Sequence, residues 1–153
     1  MKKAFRCVSN TFNSEDAGTL IHQESVQEGI KSISVIKDNA LIVMEGRGLL
    51  GKVGVDARIF RALAQKGISV SIISQGSSER GVGLVVASKD AKLAKAAIDE
   101  EFSHDFYTND VSSVSIVEDV AVISIVGQPL ATFHHPYNAL IRNQIVPLLI
   151  NNA

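Results

Sequence analysis

Apolar and polar positions along this chain fall into blocks of different period, and each change of period marks an element. Residues 40–44 (Ala40, Leu41, Ile42, Val43 and Met44) form a continuous apolar run, which predicts a buried strand. Residues 45–54 follow with four glycines, Gly46, Gly48, Gly51 and Gly54. From Val55 the period becomes helical, with Val55, Ile59, Phe60 and Leu63 on one face. Lys66 and Gly67 close that helix, a cation in the last turn and a glycine after it. Residues 69–74 alternate and read as a strand. Residues 75–81 read as a polar turn, and residues 82–87 as a second buried strand, so the two strands form a hairpin. Ser88 is the expected N-cap of a second helix, with Asp90 in its first turn and Leu93, Ala94, Ala97, Ile98 and Phe102 on its face. Residues 111–117 read as a further strand.

The order over residues 38–117 is therefore β-α-β-β-α-β. This is the split βαβ, ferredoxin-like arrangement of the α+β class, with both helices on one face of an antiparallel sheet. Then the pattern restarts. Residues 120–130 can be laid on residues 39–49, which places Gly127 on Gly46. Residues 145–151 lie on 68–74 if the second helix is four residues shorter. A domain-sized unit is repeated, and its second copy, residues 118–153, is incomplete. Such a half-module leaves a sheet edge and a helix partly uncovered, so the chain reads as a fragment or as one whose missing strands come from elsewhere. Before the repeat, residues 10–19 are rich in turn formers and read as a loop. Ile30, Ile33 and Val35 suggest a short strand, and Asp38-Asn39 breaks the chain.

Composition narrows the class. Apolar residues make up 46% and charged residues 20% of 153, ordinary for a globular chain, and the net charge of -1 gives no basic surface for nucleic acid. Cys7 is the single cysteine, so no internal disulfide forms, and a reducing, cytoplasmic compartment fits. Met1, Lys2 and Lys3 resemble a signal-peptide start, but Ser9, Asn10, Asn13, Glu15 and Asp16 interrupt any apolar stretch behind them. No apolar run approaches the ~20 residues of a membrane-spanning helix.

Two constellations could carry chemistry. Residues 46–51 spell G-x-G-x-x-G between a strand and a helix, as a dinucleotide fingerprint would. The confirming features are absent: the next strand ends in Ser74 and Gln75 where a ribose-binding acid belongs, and a hairpin follows in place of a crossover helix. The glycines suit either a tight turn or backbone approach to a small anion such as an α-carboxylate at a helix start, and the residues alone do not separate the two. The second constellation is Ser74, Gln75, Gly76, Ser77, Ser78 and Glu79. Gln75 can donate and accept, which suits reading a ligand side chain, although Gly and Ser also favour a plain hairpin turn. His134 and His135 stand in the second copy's loop without a partner at metal-ligand spacing, so no metal site is expected. Ser77 and Ser78 do not sit in a nucleophile elbow, and no phosphate loop ending in Gly-Lys-Ser/Thr occurs.

Together these features resemble the C-terminal half of aspartate kinases. Residues 10–21 are similar to the loop that ends the family's kinase domain, without its usual proline, and residues 27–33 to the strand after it. Residues 67–79, with the glycine loop and helix before them, look like the first of the family's two small-molecule-binding ACT modules. They are most like the bifunctional aspartate kinase–homoserine dehydrogenases. The resemblance implies three parts: residues 1–37, the end of a kinase domain with a linker strand; residues 38–117, a first ACT module; and residues 118–153, a truncated second one. It implies a regulatory fragment that binds an end-product amino acid, threonine first and lysine next, and thereby inhibits the kinase. No acidic pair in the expected site marks a lysine ammonium pocket, Glu79 and Asp56 being the candidate acids. The effector's backbone groups would be held by Gly48, Leu49, Leu50, Gly51, Lys52 and Val53 and by Ile68, Ser69, Val70 and Ser71. Its side chain would be read by Gln75 with Ser74 and Ser77. Asn151-Asn152 replace Ser74-Gln75 in the second copy, and Pro129, His134 and His135 replace loop residues, so effector binding is not expected there. The family implies a homodimer through the ACT modules and a parent kinase domain using ATP and magnesium. This chain alone is expected to hold no catalytic residue and no cofactor. The competing class is a structural dimerisation module with a vestigial ligand site.

Overall fold

The computed structural model describes residues 5–7, 19–21, 29–75, 80–128 and 134–151, and the side chains of all of these except 5–7, 19–21, 128, 134 and 135. Two compact units result, Met1–Ile33 with Ile125–Ala139, and Ser34–Ser124 with Leu140–Ala153. In the first, strands β1 (Phe5–Cys7) and β2 (Thr19–Ile21) pair antiparallel, Phe5 opposite Ile21. Gly29 and Gly127 meet there: a Cβ on Gly127 would lie 3.0 Å from Ile30 Cα. The turn-rich residues 10–18 lie outside the described residues.

The second unit contains the predicted arrangement. Its sheet has the order β4-β5-β3-β6, built from β4 (Val70–Gln75), β5 (Gly81–Ala87) and residues 34–45 and 113–124 of β3 (Gly29–Glu45) and β6 (Ser113–Gln128). β5 pairs antiparallel with β3, Ile42 opposite Leu84, and with β4, Ile73 opposite Leu84. Helices α1 (Val55–Gln65) and α2 (Ala91–Glu101) cover one face. Period two places Ala40, Ile42 and Met44 of β3 and Val82, Leu84 and Val86 of β5 on that face, all buried with Ile59, Leu63, Ile98 and Phe102. Burial of each of these side chains larger than alanine contributes about 1.5–3 kcal/mol.

Several boundaries differ from the sequence reading. Asp38 does not break the chain: β3 runs through it, with φ 60° at that one residue. Likewise β6 runs through Asp119 at φ 56°. Asp and Asn tolerate the left-handed region because a short polar side chain adds little steric cost there. The two aspartates occupy matching positions just ahead of the overlay of residues 120–130 on 39–49, and they share this backbone conformation. Phe60 and Leu93 lie at the edges of their helix faces and are 39% and 48% exposed. Ser88 opens a 3-10 turn, Ser88–Asp90, and Asp90 rather than Ser88 is the N-cap of α2, without a side-chain capping bond. A short helix α3, Ser103–Tyr107, follows α2. Residues 145–151 form no strand, and His134 and His135 open helix α4 (His134–Arg142) rather than standing in a loop.

Candidate functional site

Strand β3 delivers the chain at Glu45 into the glycine loop, and two main-chain bonds hold the entry: Gly46 N donates to Arg80 O at 2.9 Å and Ser112 N to Glu45 O at 2.7 Å. Gly48 N then donates to Asp110 O at 3.0 Å. Gly46 and Gly48 are glycines because residues 110–111 press on them. A Cβ on Gly46 would lie 2.7 Å from Val111 Cα, and one on Gly48 2.5 Å from Asp110 Cα. At these two positions the absent side chain makes room for that segment.

The rest of the loop is different. Leu49 is buried, and residues 49–52 form a type II turn: Leu50 at φ -58°, ψ 119°, Gly51 at φ 67°, closed by Lys52 N donating to Leu49 O at 3.1 Å. Gly54, at φ 88°, is the N-cap of α1 and brings no side-chain cap to the helix's first amides. Leu50 and Val53 are 55% and 99% exposed. The sequence therefore builds a backbone-rich, outward-facing crest at the positive end of an eleven-residue helix.

A set of charges beneath the crest was not anticipated. Lys52 Nζ donates to Asp105 Oδ1 at 2.7 Å and to Asp110 Oδ2 at 3.1 Å. Arg58 grips Asp105 with both terminal nitrogens, Nη2 to Oδ2 at 2.7 Å and Nη1 to Oδ1 at 3.2 Å. Its Nε donates to Glu101 Oε1 at 3.0 Å, and the guanidinium lies 4.0 Å over the Phe102 ring. Arg61 also donates to Glu101, at 2.8 Å. The Arg58 and then the Lys52 hydrogen bonds lower the Asp105 carboxyl to about 2, against the opposing effect of burial. Lys52 is pushed up, by Asp105 first, and Asp110 is held down by Lys52. The available signal was spacing: Ile98, Phe102 and Asp105 share one helical stripe, and a carboxylate on an apolar stripe requires a cation.

The other expected site residues divide. Ile68 is buried in the core, Ser69 is exposed and Val70 half-buried. Ser71 sits at a bulge in β4 and donates its hydroxyl to Val85 O at 3.1 Å. Ser74 is half-buried, opposite Gly83, and Gln75 ends β4 with its side chain exposed. Ser77 and Glu79 lie outside the described residues. A groove of about 370 Å³ on the sheet takes in Ser74 with Leu41, Val43 and Leu148, but no residue of 48–53. Asp56, in the first turn of α1, has a buried Oδ1 with no hydrogen-bond partner among the described residues. Among those residues, no group of three His, Cys, Asp or Glu could hold a metal ion, and no helix is long and apolar enough to cross a membrane.

Comparison with known proteins fits this geometry. Residues 42–102 match the model of the ACT domain family. The chain is 32% identical to the bifunctional aspartokinase/homoserine dehydrogenase of Haemophilus influenzae over 124 residues, 78% of this chain and 15% of that protein. It is 30% identical to the chloroplastic bifunctional aspartokinase/homoserine dehydrogenase 1 of Zea mays, over 82% of this chain and 14% of that one. The chain thus spans about a seventh of the length of these relatives. The ligand-free regulatory subunit of aspartate kinase from Thermus thermophilus shares the fold, with a TM-score of 0.65 at 24% identity over 82% of this chain and 83% of that one. Residues 42–102 thus match an ACT domain, and the chain resembles the bifunctional aspartokinase/homoserine dehydrogenases in sequence and an aspartate kinase regulatory subunit in fold.

Proposed function

We propose that this chain senses an end-product amino acid for an aspartate kinase and inhibits it when the amino acid is bound. The observation that carries the reading is the crest at residues 49–54, where a type II turn and a glycine N-cap present main-chain groups at the start of α1. Such a start favours a carboxylate through the helix dipole and its unsatisfied N–H groups. Lys52 is occupied by Asp105 and Asp110, so the effector's carboxylate is met by backbone and not by an ammonium. Gln75 at the exposed end of β4, with Ser74 and Ser77, reads the effector's side chain. Threonine is the effector of first choice, since a hydroxyl matches a glutamine amide and the bifunctional enzymes are the relatives. Lysine is the second reading, favoured by the unpartnered Oδ1 of Asp56.

Inhibition needs only that the effector bind one arrangement of the modules better than another, so that its differential affinity biases the kinase. The whole protein would phosphorylate aspartate with ATP and magnesium, as a cytoplasmic homodimer. A purely structural role in dimerisation is the competing reading, supported by β4, an edge strand of its sheet among the described residues. Isothermal titration with L-threonine, then L-lysine, separates them. Saturable binding lost in Gln75→Ala supports a sensor. Absence of binding to both this chain and the intact protein leaves the dimerisation role.

A further inference from the structure

The glycine loop is anchored at both ends to one residue. At its far end, Lys52 Nζ is held by the Asp105 carboxylate at 2.7 Å. At its near end, Asp105 acts through its carbonyl, which accepts from Asp110 N at 2.9 Å and Val111 N at 3.1 Å. That turn is the surface on which Gly46 and Gly48 rest, and Gly48 N donates to Asp110 O. The Asp105 side chain is 5% exposed and that of Lys52 38%, so the carboxylate end of the tie is the end shielded from water. Arg58 fixes the carboxylate from a third side and is itself fixed by Glu101 and Phe102. The carboxylate therefore has one orientation, and the loop end inherits it.

We propose that Asp105 is the positioning residue of the effector loop: it sets the crest at residues 49–54 in its binding geometry before the amino acid arrives. This rests on the reading of that loop as the effector contact. A ligand held by main-chain groups needs those groups preorganised, because each rotation left free in the loop is entropy lost on binding. Removing the carboxylate leaves Arg58 on Glu101, so the helices keep a tie between them, whereas Lys52 retains only the half-exposed Asp110.

The test combines amide hydrogen exchange of Gly48 and Lys52, whose N–H groups are bonded to Asp110 O and Leu49 O, with amino-acid titration, on wild type, Asp105→Asn, Asp105→Glu and Lys52→Met. Lys95→Met, which breaks the Lys95–Asp99 pair on α2, controls for loss of an ion pair in general. Asp105→Asn and Lys52→Met are expected to speed loop exchange about tenfold or more while the interiors of β3 and α2 keep their protection. Both are expected to weaken threonine or lysine binding about tenfold, and Asp105→Glu to recover most of each loss. Lys95→Met is expected to change neither. Unchanged loop exchange in Asp105→Asn overturns the proposal, as does faster exchange with unchanged affinity. If Asp105→Asn unfolds, Lys52→Met decides by the same two readings. Faster loop exchange in variants of a wild type that binds neither amino acid keeps Asp105 as the loop's anchor and removes the effector reading instead.

Discussion

Gln144 ends helix α4 in the same left-handed conformation in which Gly67 ends α1, φ 59° against 70°. The surrounding bonds match as well. Ile145 N donates to Leu140 O at 2.9 Å as Ile68 N does to Leu63 O at 3.0 Å, and Gln144 N to Ile141 O at 2.9 Å as Gly67 N does to Ala64 O at 3.0 Å. A glycine costs nothing sterically at this position, and a glutamine does. Gln144→Gly is therefore expected to raise stability by about 0.5–1 kcal/mol, and Gly67→Ala to lower it by about 1 kcal/mol. Urea unfolding midpoints check both.

The loop glycines are expected to split by cause. Gly48→Ala drives a Cβ onto the main chain of Asp110 and should cost about 3 kcal/mol, since backbone must move. Gly51→Ala meets nothing within 4 Å and bears only the cost of its positive φ, about 1 kcal/mol. Thermal unfolding of the two variants side by side measures the difference.

Acid stability should follow Asp105. Its carboxyl is lowered from 3.8 to about 2 by Arg58 first and Lys52 next, so the folded state favours the charged form. The contribution is complete above about pH 4 and is lost as pH falls toward 2, about 2 kcal/mol in all. Glu101, held down by Arg58, and Asp110, held down by Lys52, act in the same direction. Urea midpoints at pH 7, 4, 3 and 2.5 should show the loss in wild type and a shallower slope in Asp105→Asn.

Much of this was legible in the sequence because local period carried it. The runs at 40–44 and 82–87 became the paired core strands, and Val55, Ile59 and Leu63 became the buried stripe of α1. What failed was local punctuation overridden by pairing. Asp38 looks like a breaker, yet β3 continues through it in the left-handed conformation that an aspartate tolerates. In the site, the glycine loop could be seen but its two kinds of glycine could not, because the pressure on Gly46 and Gly48 comes from Asp110 and Val111, far along the chain. The tie from Lys52 to Asp105 was hidden for the same reason: nothing local in either segment names its partner.

The central claim is that an amino acid binds on the crest at the start of α1. Amide nitrogen–proton spectra of the chain, titrated with L-threonine and then L-lysine, test it residue by residue. The account predicts saturable shifts concentrated at Gly51, Lys52 and Val53, with Ser74 and Gln75 responding in step. Shifts that saturate elsewhere while residues 48–53 stay in place would contradict it.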